Sequence, residues 1–99
     1  MITIAAIQAR VASHFGCTVA ELRGHRRHRT LANARAIAMY LARELTRSSF
    51  PEIGQRFGSK DHSTVIYAHR RVARTADMLA TATALAAALN PGTPAPVSA

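Results

Sequence analysis

A turn centred on Gly58 is followed by four consecutive polar side chains: Asp61, His62, Ser63 and Thr64. Asp61 is suited to cap a helix, so the pattern predicts that the imidazole and the two hydroxyls lie exposed in the first helical turn. Such groups can hydrogen-bond to base edges, and the N-terminal end of the second helix of a helix-turn-helix enters the DNA major groove. The segment therefore predicts sequence-specific contact with duplex DNA.

The helix before this turn has its own start signal. Ser49 is a suitable cap, Glu52 follows at the spacing of a capping box, and Pro51 is tolerated in a first turn. We expect this helix to end at Gly58 and to direct Ile53 and Phe57 inward. Two short helices joined by a glycine turn are typical of a helix-turn-helix. By itself, Phe50 is also explained as a core residue or as a hydrophobic staple.

A second group of candidate binding residues is the basic run His25-Arg26-Arg27-His28-Arg29. Taken alone, it is better explained as a solvated charged turn. The whole chain, however, has thirteen basic and five acidic side chains and a formal net charge of +8. Twelve of the thirteen are arginines, which suit bidentate contacts with phosphate and guanine. We therefore expect a polyanionic partner, with nucleic acid favoured and anionic lipid a minor alternative.

The apolar spacing predicts a compact all-α domain with no strand and no internal repeat. Helices are expected over 4–15, from the Thr18 cap through Leu22, and over 31–46, where Leu31, Ala34, Ile37, Ala38, Leu41 and Leu45 form an apolar stripe. The helix-turn-helix follows, with Val65, Ala68 and Val72 facing inward from its second helix.

Beyond Val72 the sequence stays permissive for helix through Leu89, which predicts a C-terminal helical extension. Its packing is poorly specified, because its apolar positions are irregular: Ala76, Leu79, Thr83 and Ala86. We expect residues 1–90 to form the DNA-binding domain. Residues 91–99 are rich in proline and uncharged, and they are expected to be disordered.

Several other classes of protein find little support. The five carboxylates are scattered, and no Ser, His and acid grouping has a positional argument, so we expect no enzyme. The lone Cys17 excludes an intramolecular disulfide. A metal site built from His25, His28, His62 and His69 lacks close ligand spacing, so no metal or cofactor is expected. No signal segment or membrane span is evident, which favours a cytosolic setting.

These residues also carry a family resemblance. It rests on Ile53-Gly54, Phe57-Gly58 and the longer runs Ala38–Leu41, Arg43–Thr46 and Lys60–Val65. With these segments, the chain resembles the C-terminal DNA-binding domain of the bacterial replication initiator DnaA. The resemblance spans roughly Ile4 to Val72 and is more specific than a generic helix-turn-helix pattern.

The resemblance implies an all-helical domain that binds a short duplex site, the DnaA box. It places Arg27 in the minor groove, Asp61 to Thr64 among the major-groove readers, and Phe50 and Pro51 against a base. It also implies that Arg35, Arg43 and Lys60 contact phosphates or give nearby support. The full set of expected DNA-binding residues is Arg26, Arg27, Arg29, Arg35, Arg43, Ser49, Phe50, Pro51, Lys60, Asp61, His62, Ser63 and Thr64.

The sequence departs from the family pattern in two ways. Ser63 stands where the family often has threonine, so a methyl group able to touch thymine is lost. The initiator's ATPase module is also missing, since the sequence contains no G-x-x-x-x-G-K-[ST] pattern. We therefore expect a domain that occupies DnaA boxes without melting an origin alone.

The resemblance leaves the biological role open. The domain could compete with the initiator, assist its loading or regulate nearby genes. Two alternatives remain: a helix-turn-helix regulator on an unrelated operator, and an adaptor that docks a protein through 73–89. The expected partners are duplex DNA and the initiator or its regulators. A monomer is favoured, and self-association through the C-terminal helix is the alternative.

Overall fold

The fold consists of six helices: α1 Ile4–Phe15, α2 Val19–Arg23, α3 Arg29–Leu45, α4 Phe50–Arg56, α5 His62–Arg74 and α6 Ala76–Leu89. The computed structural model describes residues 2–26 and 28–89, and these residues contain no strand. The predicted all-α class is therefore confirmed. Arg27 and the tail at 91–99, for which the sequence makes specific predictions, lie outside the described residues.

Capping residues determine where the helices begin. The Thr3 side chain accepts a hydrogen bond from the Ala6 amide at the start of α1. Both predicted capping boxes are present: Thr18 with Glu21 begins α2, and Ser49 with Glu52 begins α4. In each box, a hydroxyl and a carboxylate satisfy backbone amides that have no partner within the helix.

The two capping carboxylates predict acid sensitivity. Hydrogen bonds from the backbone and hydroxyl of Ser49 lower the pKa of Glu52, and those of Thr18 do the same for Glu21. A lowered folded-state pKa stabilises the fold above the ordinary carboxyl pKa, and this contribution is lost as pH falls through the folded value. The double variant Glu21→Gln/Glu52→Gln should therefore lose less stability than the parent between about pH 5 and pH 2, measured by urea unfolding.

Asp77→Asn is the control, because Asp77 is an exposed carboxylate in a first helical turn. The stability of Asp77→Asn should fall with pH in the same way as that of the parent. An equally steep acid loss in the double variant would contradict the capping explanation.

The central helix of the fold is α3, which contacts each of the other five helices. The predicted stripe is buried from Leu31 to Leu41, and Leu45 is half-buried. Burial extends beyond that stripe to Ala36, Met39 and Ala42, since α3 is covered on more than one side. The helix also begins at Arg29 rather than Leu31, which places Arg29 in its first turn.

The predicted C-terminal helical extension is confirmed through Leu89, but it is a helix separate from α5. Thr75 adopts an extended conformation, with φ −107° and ψ 109°, and separates α5 from α6 at an angle of 99°. The face that α6 buries consists of Met78, Ala82 and Leu85, whereas Ala76 and Thr83 are exposed. Of the four predicted apolar positions, Ala76 and Thr83 were thus wrong, whereas Leu79 and Ala86 are half-buried. Alanines and leucines lie on every face of α6, so the sequence pattern does not indicate which face packs against α1, α3 and α5.

Among the described residues, no single helix has the length and apolar character to cross a membrane; α5 and α6 satisfy both criteria only as a bent pair.

Candidate nucleic-acid interface

The polar segment at the start of α5 lies on the protein surface. Residues 61–64 are all exposed, whereas Val65, Ala68 and Val72 on the same helix are buried. Those three apolar residues hold α5 against the core and turn the opposite face outward. The imidazole and hydroxyls of the first turn are therefore accessible to a ligand.

Asp61 occupies the N-cap position of α5, but its side chain makes no capping hydrogen bond. Its Oδ1 instead lies 3.0 Å from Nδ1 of His62. The neighbouring hydroxyl and amide of Ser63, and after them His62, lower the pKa of Asp61. The carboxylate thus stays ionised beside the imidazole, and it can orient that ring or accept a hydrogen bond from a ligand donor.

The turn between α4 and α5 depends on two glycines. Helix α4 ends at Arg56, two residues before the predicted stop at Gly58, and Phe57 is its C-cap. Gly58 has φ +85°, and an added Cβ would lie 2.1 Å from the carbonyl oxygen of Arg23. A Cβ on Gly54 would lie 2.1 Å from the carbonyl oxygen of Lys60. The turn therefore lies directly against α4 and against the end of α2.

Lys60 connects this turn to the start of the basic loop. Its Nζ donates to the carbonyl oxygens of Arg23 at 3.1 Å and Gly24 at 2.8 Å, and also to that of Phe57. Burial, and after it the charge of Arg35, lowers the pKa of Lys60. An ammonium group has three donors. All three are engaged within the protein, which favours structural support over a phosphate contact as the role of Lys60.

Arg35 supports the same loop from α3. It donates from Nε to the Leu22 carbonyl at 2.7 Å, and from its two Nη atoms to Glu21 at 2.9 Å and Arg26 at 3.2 Å. Of the two roles expected for Arg35, the structure therefore supplies the supporting one. Lys60 thus attaches the loop entrance to the helix-turn-helix, and Arg35 attaches it to α3.

Removing the ammonium group of Lys60 should test this connection. Lys60→Met keeps the aliphatic stem but leaves carbonyl oxygens unpaired, so we expect a loss of about 1–3 kcal/mol in the free energy of unfolding. DNA affinity should also fall, because the loop entrance would lose its attachment to the turn before α5. Denaturant unfolding and a binding titration measure the two effects. Unchanged stability with weakened binding would instead indicate a direct phosphate contact.

The described part of the basic loop is exposed. His25, Arg26, His28 and Arg29 all face solvent, with Arg29 at the start of α3. The Arg26 backbone is held by Arg35, and its side chain lies in an open groove that includes Phe15 and Glu21. Arg26 and Arg29 therefore present cationic groups beside the helix-turn-helix.

Arg43 and Phe50 form one unit near the start of α4. The Arg43 guanidinium lies 4.3 Å from the centre of the Phe50 ring, and its Nη1 donates to the Ser48 carbonyl at 3.1 Å. Phe50 is half-buried, whereas Pro51 beside it is exposed. The Ser49 hydroxyl accepts the Glu52 amide, so its oxygen acts in capping. This edge of α4 combines an apolar surface with a positive charge.

His69 lies near this site, although the sequence pattern does not predict a role for it there. Its ring is stacked on Tyr40 at 4.9 Å, meets Phe50 edge-on at 6.0 Å, and places Nε2 3.0 Å from Oε2 of Glu44. His69 thus joins α3, α5 and the start of α4. The i, i+4 spacing of Tyr40 and Glu44 was the one available signal, because both had to face the same neighbour.

Within residues 2–26 and 28–89, no three His, Cys, Asp or Glu side chains are grouped so that they could hold a metal ion. His62 contacts Asp61, and His69 contacts Glu44, so the two histidines on α5 do not form one site.

Comparison with known proteins agrees with this geometry. A family model described as the bacterial dnaA protein helix-turn-helix matches residues 4–72. The chromosomal replication initiator protein DnaA of Latilactobacillus sakei is 51% identical over 74 residues, which are 75% of this chain and 16% of the relative. That of Geobacter sulfurreducens is 51% identical over 71 residues, 72% of this chain and 16% of the relative.

The chain thus spans about a sixth of the length of the curated relatives that it matches. The matched residues include α1 to α4 and most of α5, whereas α6 lies beyond the family model. On this evidence, the chain belongs to the bacterial DnaA helix-turn-helix family.

Proposed function

We propose that this protein binds duplex DNA sequence-specifically at DnaA-box-like sites and thereby regulates or assists replication initiation. The observation that carries the proposal is the pairing of two exposed surfaces. The first turn of α5 presents His62, Ser63 and Thr64 to solvent, and Lys60 ties the turn before it to the start of the basic loop. The two surfaces are therefore neighbours that one duplex can contact together.

In this proposal, α5 enters the major groove by its N-terminal end. His62, Ser63 and Thr64 hydrogen-bond to base edges, and Asp61 accepts from a cytosine amino group or orients His62. Phe50 and Pro51 supply apolar contact, and Arg43 contacts a phosphate from its position over Phe50. Each side chain here has a polar or apolar surface suited to its role.

The basic loop supplies the second contact. We assign insertion into the minor groove to Arg27, on the basis of the family resemblance, with Arg26 and Arg29 against the flanking phosphates. A narrow A·T-rich groove concentrates negative potential, which favours an inserted arginine. Arg35 and Lys60 act indirectly, since their donors hold the loop entrance in place.

We further propose that the protein acts without catalysis or cofactor, as a monomer associated with the nucleoid in the cytoplasm. The adaptor alternative is less supported, because α6 uses Met78, Ala82 and Leu85 within its own core. Competition with the initiator, assistance in its loading and gene regulation all follow from occupancy of the same sites. An origin-binding assay separates the first two, since a competitor displaces initiator and a loader increases its binding.

Selection of bound sequences from a random duplex library tests the proposal. We expect enrichment of a DnaA-box-like site and an affinity that falls steeply with salt, because cationic side chains displace counterions from phosphates. Enrichment of an unrelated motif would favour a different operator. A library that shows no enrichment would overturn sequence-specific binding.

A further inference from the structure

A surface on α5 outside the predicted site has the properties of a second DNA contact. It consists of Tyr67, Arg70 and Arg74, here called the arginine stripe. Tyr67 is 70% exposed and is the one large hydrophobic side chain exposed among the described residues. Arg70 and Arg74 are also exposed. Tyr67 thus adds an exposed ring and hydroxyl to a surface that continues with two arginines.

The arginine stripe continues the face that presents Ser63. Steps of four, three and four residues connect Ser63, Tyr67, Arg70 and Arg74, and such spacing keeps side chains on one side of a helix. The buried residues Val65, Ala68 and Val72 lie on the opposite side. A duplex that meets the first turn of α5 therefore meets the same face on which the stripe lies.

The side chains of the stripe remain available for a ligand. Arg71, the neighbouring arginine, donates a hydrogen bond to the Asn33 side chain and is half-buried. Among the described residues, no hydrogen bond or ion pair involves the side chain of Arg70 or Arg74. The sequence from 62 to 76 contains no acidic residue that would neutralise them. The stripe is thus an unpaired positive surface.

We propose that Tyr67, Arg70 and Arg74 bind the phosphate backbone of the duplex that flanks the recognised site. The proposal rests on the proposed function, because it places the first turn of α5 in the major groove. A helix rises 1.5 Å per residue, so Arg74 lies about 16 Å from Ser63 along α5, far enough to reach phosphates beyond the base pairs that the first turn contacts. Arginine guanidinium groups and a tyrosine hydroxyl are suitable donors to phosphate oxygens.

This contact adds affinity without adding base specificity, since phosphates are the same at every step. It also predicts that the protein distinguishes a bare site from one embedded in longer DNA. Because the arginine stripe is positively charged, its ligand is expected to be a polyanion. An acidic segment of a protein partner is the rival occupant, and in that case loss of the stripe would not selectively weaken binding to flanking DNA.

The test compares two duplexes that contain the site enriched from the random library. One is trimmed to the specified base pairs, and the other carries about 10 additional base pairs on each side, about one helical turn. For Arg70→Gln/Arg74→Gln, we expect the salt slope on the flanked duplex to decrease by about 2 and affinity to fall roughly tenfold at about 0.15 M salt. Binding to the trimmed duplex should stay near that of the parent.

Two controls separate contact from general charge and from folding. Arg10→Gln removes one exposed charge from α1, and it should change the slope less than Arg74→Gln does. Arg70→Lys/Arg74→Lys keeps the charges, and it should restore the parent slope on the flanked duplex. Tyr67→Ala should weaken binding only to the flanked duplex.

Equal losses on the two duplexes, or a loss no larger than that of Arg10→Gln, would overturn the proposal. In the second case the stripe would be open to an acidic protein partner. Failure of the proposed function has a different signature: the parent would bind the trimmed site no better than a scrambled duplex of the same length.

Discussion

Gly58→Ala is expected to lower the free energy of unfolding by about 3 kcal/mol, the combined effect of a left-handed backbone and an overpacked contact. Gly58 has φ +85°, which a Cβ disfavours. The added atom would also lie 2.1 Å from the Arg23 carbonyl oxygen, which belongs to the backbone and has little freedom to move. The same oxygen accepts a hydrogen bond from Lys60, so the loop entrance should shift and DNA binding should weaken.

The matched control is Gly16→Ala. Gly16 has φ +69°, close to that of Gly58, but an added Cβ would meet no atom within 4 Å. It should therefore lose only about 1 kcal/mol, the conformational part of the effect. Denaturant unfolding of the two variants measures the difference. Similar losses would show that contact between the turn and the end of α2 contributes little.

The second large effect concerns base recognition. His62→Ala and Thr64→Ala should each cost about 1–3 kcal/mol on the selected site and relax the preference at one position. Neither should change binding to random duplex, because the lost contacts are to bases and not to phosphates. Arg27→Ala should instead weaken binding most at sites with an A·T-rich minor-groove segment. Binding titrations against matched and substituted duplexes measure each loss.

The control is Thr83→Ala, which removes an exposed threonine hydroxyl from α6, away from α5's first turn. It should leave site preference unchanged. Ser63→Thr supplies the methyl group common in the family, and it should strengthen binding where a thymine occupies that step. If His62→Ala, Thr64→Ala and Arg27→Ala lost affinity equally on random duplex, the groove assignments would be incorrect.

Local signals in the sequence predicted much of the fold. The starts of α1, α2 and α4 follow from caps such as Thr3 and Thr18, which act within a few residues of themselves. The inward faces of α4 and α5 follow from helical spacing, which their short amphipathic patterns make unambiguous. The face that α6 buries could not be predicted, because its alanines and leucines offer several equivalent surfaces.

The candidate site divides in a similar way. That polar residues follow the Gly58 turn is evident from residue order, and so is their position in the first turn of a helix. The roles of Arg35 and Lys60 are not evident from residue order, since each donates to carbonyl groups on α2 or in the loop after it. Backbone carbonyls are common to every residue and leave no trace in sequence.

By itself, the sequence determined an all-helical domain with a cationic run and a polar helix start, because caps, spacing and charge act locally; its motifs also indicated the family. Only the tertiary structure decided which cations are free. Arg35 and Lys60 use their donors inside the protein, whereas Arg70 and Arg74 remain exposed beside Tyr67. The physical reason is that a donor's availability depends on the acceptors brought near it by distant segments of the chain.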